Sequence, residues 1–182
     1  MTRSIRSFSS PDRIVIGTVG LPGERVFYLQ VSQDRVTVSL RMEKQQAATL
    51  ADRFAQVIST LQEQGAISAE VPPGPRDDDP LSSPIEEDFT VGSIGMAWDP
   101  EDDRFVLEFH SADDLPPADV GDDDDEAPDT LRVRLAVSES LAFIDRTRAV
   151  ISAGRPECPL CQLPLEATGH ICPRANGYRR SG

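Results

Sequence analysis

The hexapeptide IGTVGL, Ile16 to Leu21, returns further along the chain as VGSIGM, Val91 to Met96, with both glycines matched and the apolar positions filled by similar residues. An internal repeat constrains a fold more than any single motif does, because what one copy forms the other is expected to form too. Two strand-like runs follow each copy. After the first come RVFYLQV, Arg25 to Val31, and RVTVSLRM, Arg35 to Met42; after the second come RFVLEFH, Arg104 to His110, and TLRVRLAV, Thr130 to Val137. Their apolar residues recur at every second position, the period of a strand with one buried face.

Each set then closes with a helical pattern. Ala47, Leu50, Phe54, Val57, Ile58 and Leu61 recur at three-and-four spacing over about Glu43 to Gln64. Phe143, Ile144, Thr147, Val150 and Ile151 do so over about Glu139 to Ala153, with Ser138 as the expected N-cap. The helices share an octet, DRFAQVIS against DRTRAVIS, identical at five of eight positions. The expectation is an α+β fold of duplicated βββα halves, about 11–65 and 87–153, related by a pseudo-twofold. Short turns between consecutive strands favour antiparallel pairing, so six antiparallel strands with two helices are predicted within residues 1–154. Arg25 and Arg104 align with their alternation one residue out of phase, which calls for a bulge or an indel.

The formal charge of −13 suggests a chain that repels nucleic acid. Its distribution qualifies that: residues 76–88 carry six acids and one arginine, residues 113–129 carry nine acids and no base, and about +1 is left for the remainder. Rich in Pro and Asp, poor in large apolar residues, the segments 66–88 and 113–129 lack the apolar area that would offset the entropy of ordering, so they are expected to be mobile acidic loops. The N-terminal MTRSIRSFSS has no apolar stretch behind it and no run approaches the length of a membrane span, which points to a cytoplasmic location.

Of the candidate chemical motifs, GTVGLPG places Gly17, Gly20 and Gly23 as in a phosphate-binding loop, but the element that follows is a strand, whereas such loops open onto a helix N-terminus. Bulges or close backbone approach are expected to explain both glycine copies. His110 falls on the face of its strand opposite Phe105, Leu107 and Phe109, beside Val106 and Glu108, where a solvent-facing role is expected. No nucleophile elbow or histidine-bearing triad occurs, and Trp98 is expected as a half-buried anchor.

The strongest constellation lies in residues 155–182. Cys158, Cys161, His170 and Cys172 form C-x2-C-x8-H-x-C, the spacing of a tetrahedral zinc site. Three thiolates and one imidazole complete the shell, so a structural Zn2+ is expected. The competing readings are a redox CxxC, which Pro164 disfavours by blocking a following helix, and a catalytic zinc, which has only Glu166 as a nearby base. Arg155, Arg174, Arg179, Arg180 and Tyr178 make the tail basic and partly aromatic, features compatible with nucleic acid.

The stretches GTVGLPGERVFYLQ and RPECPLCQLPLEATGHICPRANGY resemble an actinobacterial family of conserved hypothetical proteins, catalogued as domain of unknown function three thousand and ninety. The resemblance covers nearly the whole chain. Family members usually have glycine where this chain has Gln162, a departure that removes no ligand. The resemblance implies neighbouring genes for a phosphatase-like and a kinase-like protein, hence a shared pathway or complex, and it supplies no catalytic residues. Three functions follow as expectations: a non-enzymatic adaptor or regulator that binds another protein; a small-ligand protein or enzyme with its site in the cleft between the halves; and a nucleic-acid binder. A continuous basic surface joining the tail to Arg132, Arg134, Arg146 and Arg148 would mark the third.

Overall fold

A computed structural model describes residues 5–21, 23–112, 129–153, 160 and 172. The strands are β1 (Ile5–Phe8), β2 (Arg13–Val19), β3 (Val26–Gln33), β4 (Val36–Met42), β5 (Glu87–Asp99), β6 (Arg104–Ser111) and β7 (Thr130–Ala136); the helices are α1 (Lys44–Glu63), after β4, and α2 (Val137–Ser152), after β7. The strands form one sheet in the order β1-β7-β6-β5-β4-β3-β2. The fold is α+β, as the periodicities require, but the sheet has seven strands and is mixed, not six and antiparallel.

Two pairings account for that correction. Helix α1 carries the chain from β4 to β5, and a strand–helix–strand crossover returns the chain in the same direction, so β4 and β5 pair parallel through Leu40–Phe89 and Arg41–Thr90. The short β1 then lies parallel to β7, with Ile5 opposite Thr130 and Phe8 opposite Val133. In the expected twofold arrangement, equivalent strands would meet at the centre of the sheet. Here the third strand of one triplet meets the first strand of the next, so the halves follow one another along the sheet and no pseudo-twofold relates them.

One core serves both triplets. Leu29, Leu40, Phe105, Leu107, Phe109, Leu131, Val133 and Leu135 are fully or almost fully buried on the helix-covered face. Phe54 of α1 stands edge-on to Phe105 (centroids 5.1 Å apart, 76°) and to Phe143 of α2 (5.9 Å, 63°). Trp98 closes the group against Phe105 at 5.0 Å, partly buried as expected. Aromatic pairs in such edge-to-face geometry add about 0.5–1.5 kcal/mol each beyond their buried area.

Helix α1 starts with Glu43, whose amide is accepted by the Gln46 side chain at 2.8 Å. It ends in Gly65 at φ +69°, with Gly65 N donating to Gln62 O and Ala66 N to Leu61 O, the pair of bonds that satisfies a helix terminus when a left-handed residue follows it. Helix α2 departs from expectation. Its cap is Ala136, not Ser138, because β7 runs into the helix without a loop; Glu139 accepts the Ala136 amide at 2.7 Å.

The acidic loop expected over 66–88 is also corrected: residues 66–86 are a strap laid over the protein, and Glu87 and Asp88 begin β5. Gly74 N donates to Ser138 O at the start of α2, and Ser82 exchanges two hydrogen bonds with the Gln30 amide, at 2.8 and 2.9 Å. This cover is why Val15, Gln30 and Ser39, on the outer face of the sheet, are 1%, 1% and 3% exposed. The Leu81 side chain sits so close above Gly17 that a Cβ there would lie 2.6 Å from its Cγ. In the matched motif, Gly92 lies at an irregularity in the β5–β6 ladder, where a Cβ would meet Ala112 Cα at 2.7 Å. Close approach and a strand irregularity therefore explain Gly17 and Gly92, as expected. The second acidic segment, apart from Asp129, lies outside the described residues.

Candidate functional site

Among the hollows that the described residues line where the triplets meet, two are large. The first is a cavity of about 230 Å³ between β2, the strap and α2, lined by Asp12, Arg13, Asp77, Glu139, Phe143 and Arg146 among others. Arg146 projects from the buried side of α2, and only 7% of its side chain is exposed. Its guanidinium donates to Ile16 O at 3.1 Å, to Asp79 O at 2.7 Å, and to both the backbone oxygen and the carboxylate of Asp77. Arg13 approaches the same carboxylate from β2, with Nε 2.5 Å from Oδ2 and Nη2 3.1 Å from Oδ1, and also donates to Asp79 O and Pro80 O.

The electrostatics follow from that packing. The Arg13 hydrogen bond holds the Asp77 carboxyl below its usual range, against the opposing effect of burial. The same bond raises the Arg13 guanidinium, while burial pushes that of Arg146 down, with Asp77 opposing. Both guanidinium groups share the one Asp77 carboxylate, and backbone carbonyls accept their remaining bonds. Chemically the cluster is an anchor that seats a carboxylate and three carbonyls of the strap.

The second hollow is an open groove of about 620 Å³ between α1 and β5. Strand β5 changes partners midway: through Thr90 it pairs with β4, and from Val91 to Asp99 it pairs with β6. Beyond Thr90 its other edge has no strand partner among the described residues. The first polar groups of that edge are met by a side chain, since Gln46 Nε2 donates to Val91 O at 3.0 Å and to Gly92 O at 3.4 Å. Further along, Ile94 and Met96 are only partly buried and form the floor with Leu50, while Gln45, Thr49 and Arg53, one helical face at four-residue spacing, form the wall. An unpaired strand edge presents N–H and C=O groups ready to accept another extended chain.

On the outer face of the β5–β6–β7 sheet, His110 is half-buried, 3.0 Å from Thr130 Oγ1 through Nδ1 and 3.7 Å from Glu108 through Nε2. Glu108 is engaged by Arg132 at 2.6 Å. Arg134 is held by Asp99 at 2.5 Å and Asp102 at 2.6 Å, and Arg148 by Asp52 at 3.0 Å. With Arg146 sealed under the strap, none of the four arginines named as a basic surface is without an acidic partner.

Of the expected zinc ligands, Cys158, Cys161 and His170 lie outside the described residues, and Cys172 is buried. Among the described residues no group of three or more His, Cys, Asp or Glu could hold a metal ion. No described helix is long and apolar enough to cross a membrane. The groove is not legible in the sequence, because VGSIGMAW reads as one uniform strand; the local signal is Gly92, where the ladder irregularity falls.

A family model described as a protein of unknown function, DUF3090, matches residues 6–172. No curated protein and no solved structure matches the chain.

Proposed function

The chain belongs to that family of proteins of unknown function, and from this premise we propose that it is a non-enzymatic, cytoplasmic, zinc-containing adaptor or regulator that acts by binding another protein. The observation that carries the reading is the edge of β5 from Gly92 to Asp99, which has no strand partner among the described residues, with a partly apolar groove and the wall of α1 beside it. Strand edges of this kind bind by adding a strand, the main chain supplying affinity and alternate side chains specificity. Structural Zn2+ held by Cys158, Cys161, His170 and Cys172 would stabilise the C-terminal segment, which is too short to build its own core. The support for zinc is the ligand spacing and type. Paired arginines at 132, 134, 146 and 148 weigh against the nucleic-acid reading.

A second reading, a small-ligand protein with its site between the halves, is favoured by the 230 Å³ cavity, although its arginines are already engaged by Asp77. Affinity purification of the tagged chain followed by mass spectrometry separates the two. Reproducible recovery of a protein partner is expected; recovery of a co-purifying metabolite with no reproducible protein would overturn the adaptor reading. For the metal, plasma mass spectrometry on protein purified without chelator should find about one zinc per chain, lost in Cys161→Ser. A metal-free wild type refutes the zinc site.

A further inference from the structure

The groove also carries information about the partner. Along α1, Gln45 to Arg53 covers eight helical rises, roughly 12 Å at 1.5 Å per residue, which matches about three or four residues of an extended strand at ~3.3 Å each. A strand added to β5 would turn alternate side chains toward the helix-covered face, where Ile94 and Met96 lie, and the others away from it. Ile94 and Met96 call for an apolar side chain. Arg53 defines what stands next to it: it is exposed and lines the groove, yet has no ion-pair or hydrogen-bond partner among the described residues. Arg132, Arg134, Arg146 and Arg148, by contrast, all hold carboxylates. Glu43 lines the groove nearer the start of α1, so its wall runs from negative to positive along the helix.

We propose that the groove receives an extended segment of a partner protein, added as a strand to β5 between Gly92 and Asp99, in which an apolar residue and an acidic residue stand two positions apart and both face α1. The apolar side chain covers Ile94 and Met96, and the carboxylate pairs with Arg53. The residue between them faces away and is unrestricted. This rests on the reading that the chain acts by binding another protein, and it adds where and by what chemistry.

The probe is a phage-displayed library of random linear heptapeptides, panned against the full chain as purified without chelator and against Arg53→Glu, an exposed substitution whose folding is checked by circular dichroism. The wild type should enrich sequences with an apolar residue two positions from Asp or Glu, and Arg53→Glu should replace the acid by Lys or Arg. In fluorescence anisotropy the best acidic peptide should bind Arg53→Glu at least tenfold more weakly, since a like-charge contact replaces an attractive one. Its addition should slow hydrogen exchange of backbone amides within residues 92–99, which a merely electrostatic surface contact would leave unchanged. Enrichment no greater than on an unrelated immobilised protein, or the same sequences on both targets, overturns the proposal. So does a homodimer whose residues 92–99 are already protected without peptide, because a second copy would then occupy the edge. If proteins are still recovered equally by wild type and Arg53→Glu, the groove assignment fails while the adaptor reading stands.

Discussion

Replacing Arg146 by methionine should detach the acidic strap. Methionine fills much of the same volume but carries no donor, so Ile16 O, Asp77 O and Asp79 O each lose the hydrogen bond that Arg146 now supplies, and Asp77 loses one of its two cations. A buried acceptor left unsatisfied costs about 1–3 kcal/mol, and breaking a buried ion pair by deleting one partner costs about 3–5 kcal/mol. Two features reduce the sum. The Asp77 side chain is 32% exposed and keeps Arg13, and Asp79 O also keeps Arg13. Only Ile16 O is left with no replacement donor at a buried residue. The net expectation is a loss of about 2–4 kcal/mol, or roughly 5–12 °C in melting temperature for a chain of this size. Urea denaturation followed by circular dichroism measures the first, and hydrogen exchange localises it: amides in residues 74–84 should become fast before the rest of the protein. Arg13→Met, acting at a more exposed group, should cost about 1–2 kcal/mol. If Arg146→Met costs less than about 0.5 kcal/mol and the strap amides stay protected, the anchor does not hold the strap and the argument from burial is wrong.

The remaining expectations concern the same fold. Gly17→Ala should destabilise by about 1–3 kcal/mol, the range for overpacking, because its Cβ would lie 2.6 Å from Leu81 Cγ; combining it with Leu81→Ala should recover part of the loss, and strict additivity in the double-mutant cycle would refute the contact. The Asp77 carboxyl is held below its ordinary range by Arg13, so its contribution to stability is present above the unfolded carboxylate value, near 4, and is lost as the pH falls through the lower folded value. Asp77→Asn should therefore flatten the stability–pH curve below about pH 4, and an unchanged acid limb in denaturation measured across that window would contradict the assignment. Phe54→Ala removes the ring that touches Phe105 and Phe143 and should cost about 3–5 kcal/mol, with cooperative loss of both halves in thermal unfolding. Separate transitions would mean that the halves do not share a core.

Much of the architecture is legible in particular residues. The three-and-four spacing from Ala47 to Leu61 places α1 within a residue of its ends, and the alternation in RFVLEFH names Phe105, Leu107 and Phe109 as the buried set. Strand β1 is not legible, because it is only four residues long, Phe8 alone is buried, and its partner β7 lies at the far end of the chain. The strap misleads for a related reason. RDDDPLSSP has too little apolar surface to order itself, and the guanidinium that orders it belongs to Arg146, which as part of a helical pattern reads as an ordinary surface cation. For the groove, β5 is written as a single run, and no property of that run reports that β4 stops pairing with it at Thr90. The expected zinc ligands are the opposite case: their short spacing makes them conspicuous in sequence, and three of the four lie outside the described residues.

What the sequence by itself determined is therefore what local geometry controls: where the backbone alternates, where it coils, and which side chains each element buries, since pleat and helix period act over a few residues. The tertiary structure alone decided how those elements meet. The crossover through α1 made β4 and β5 parallel, the edge of β5 beside Arg53 was left without a strand partner among the described residues, and the acidic strap was ordered by two arginines from β2 and α2. These outcomes rest on hydrogen-bond pairing and charge neutralisation between residues far apart in the chain, whose energies depend on distances that no window of sequence contains.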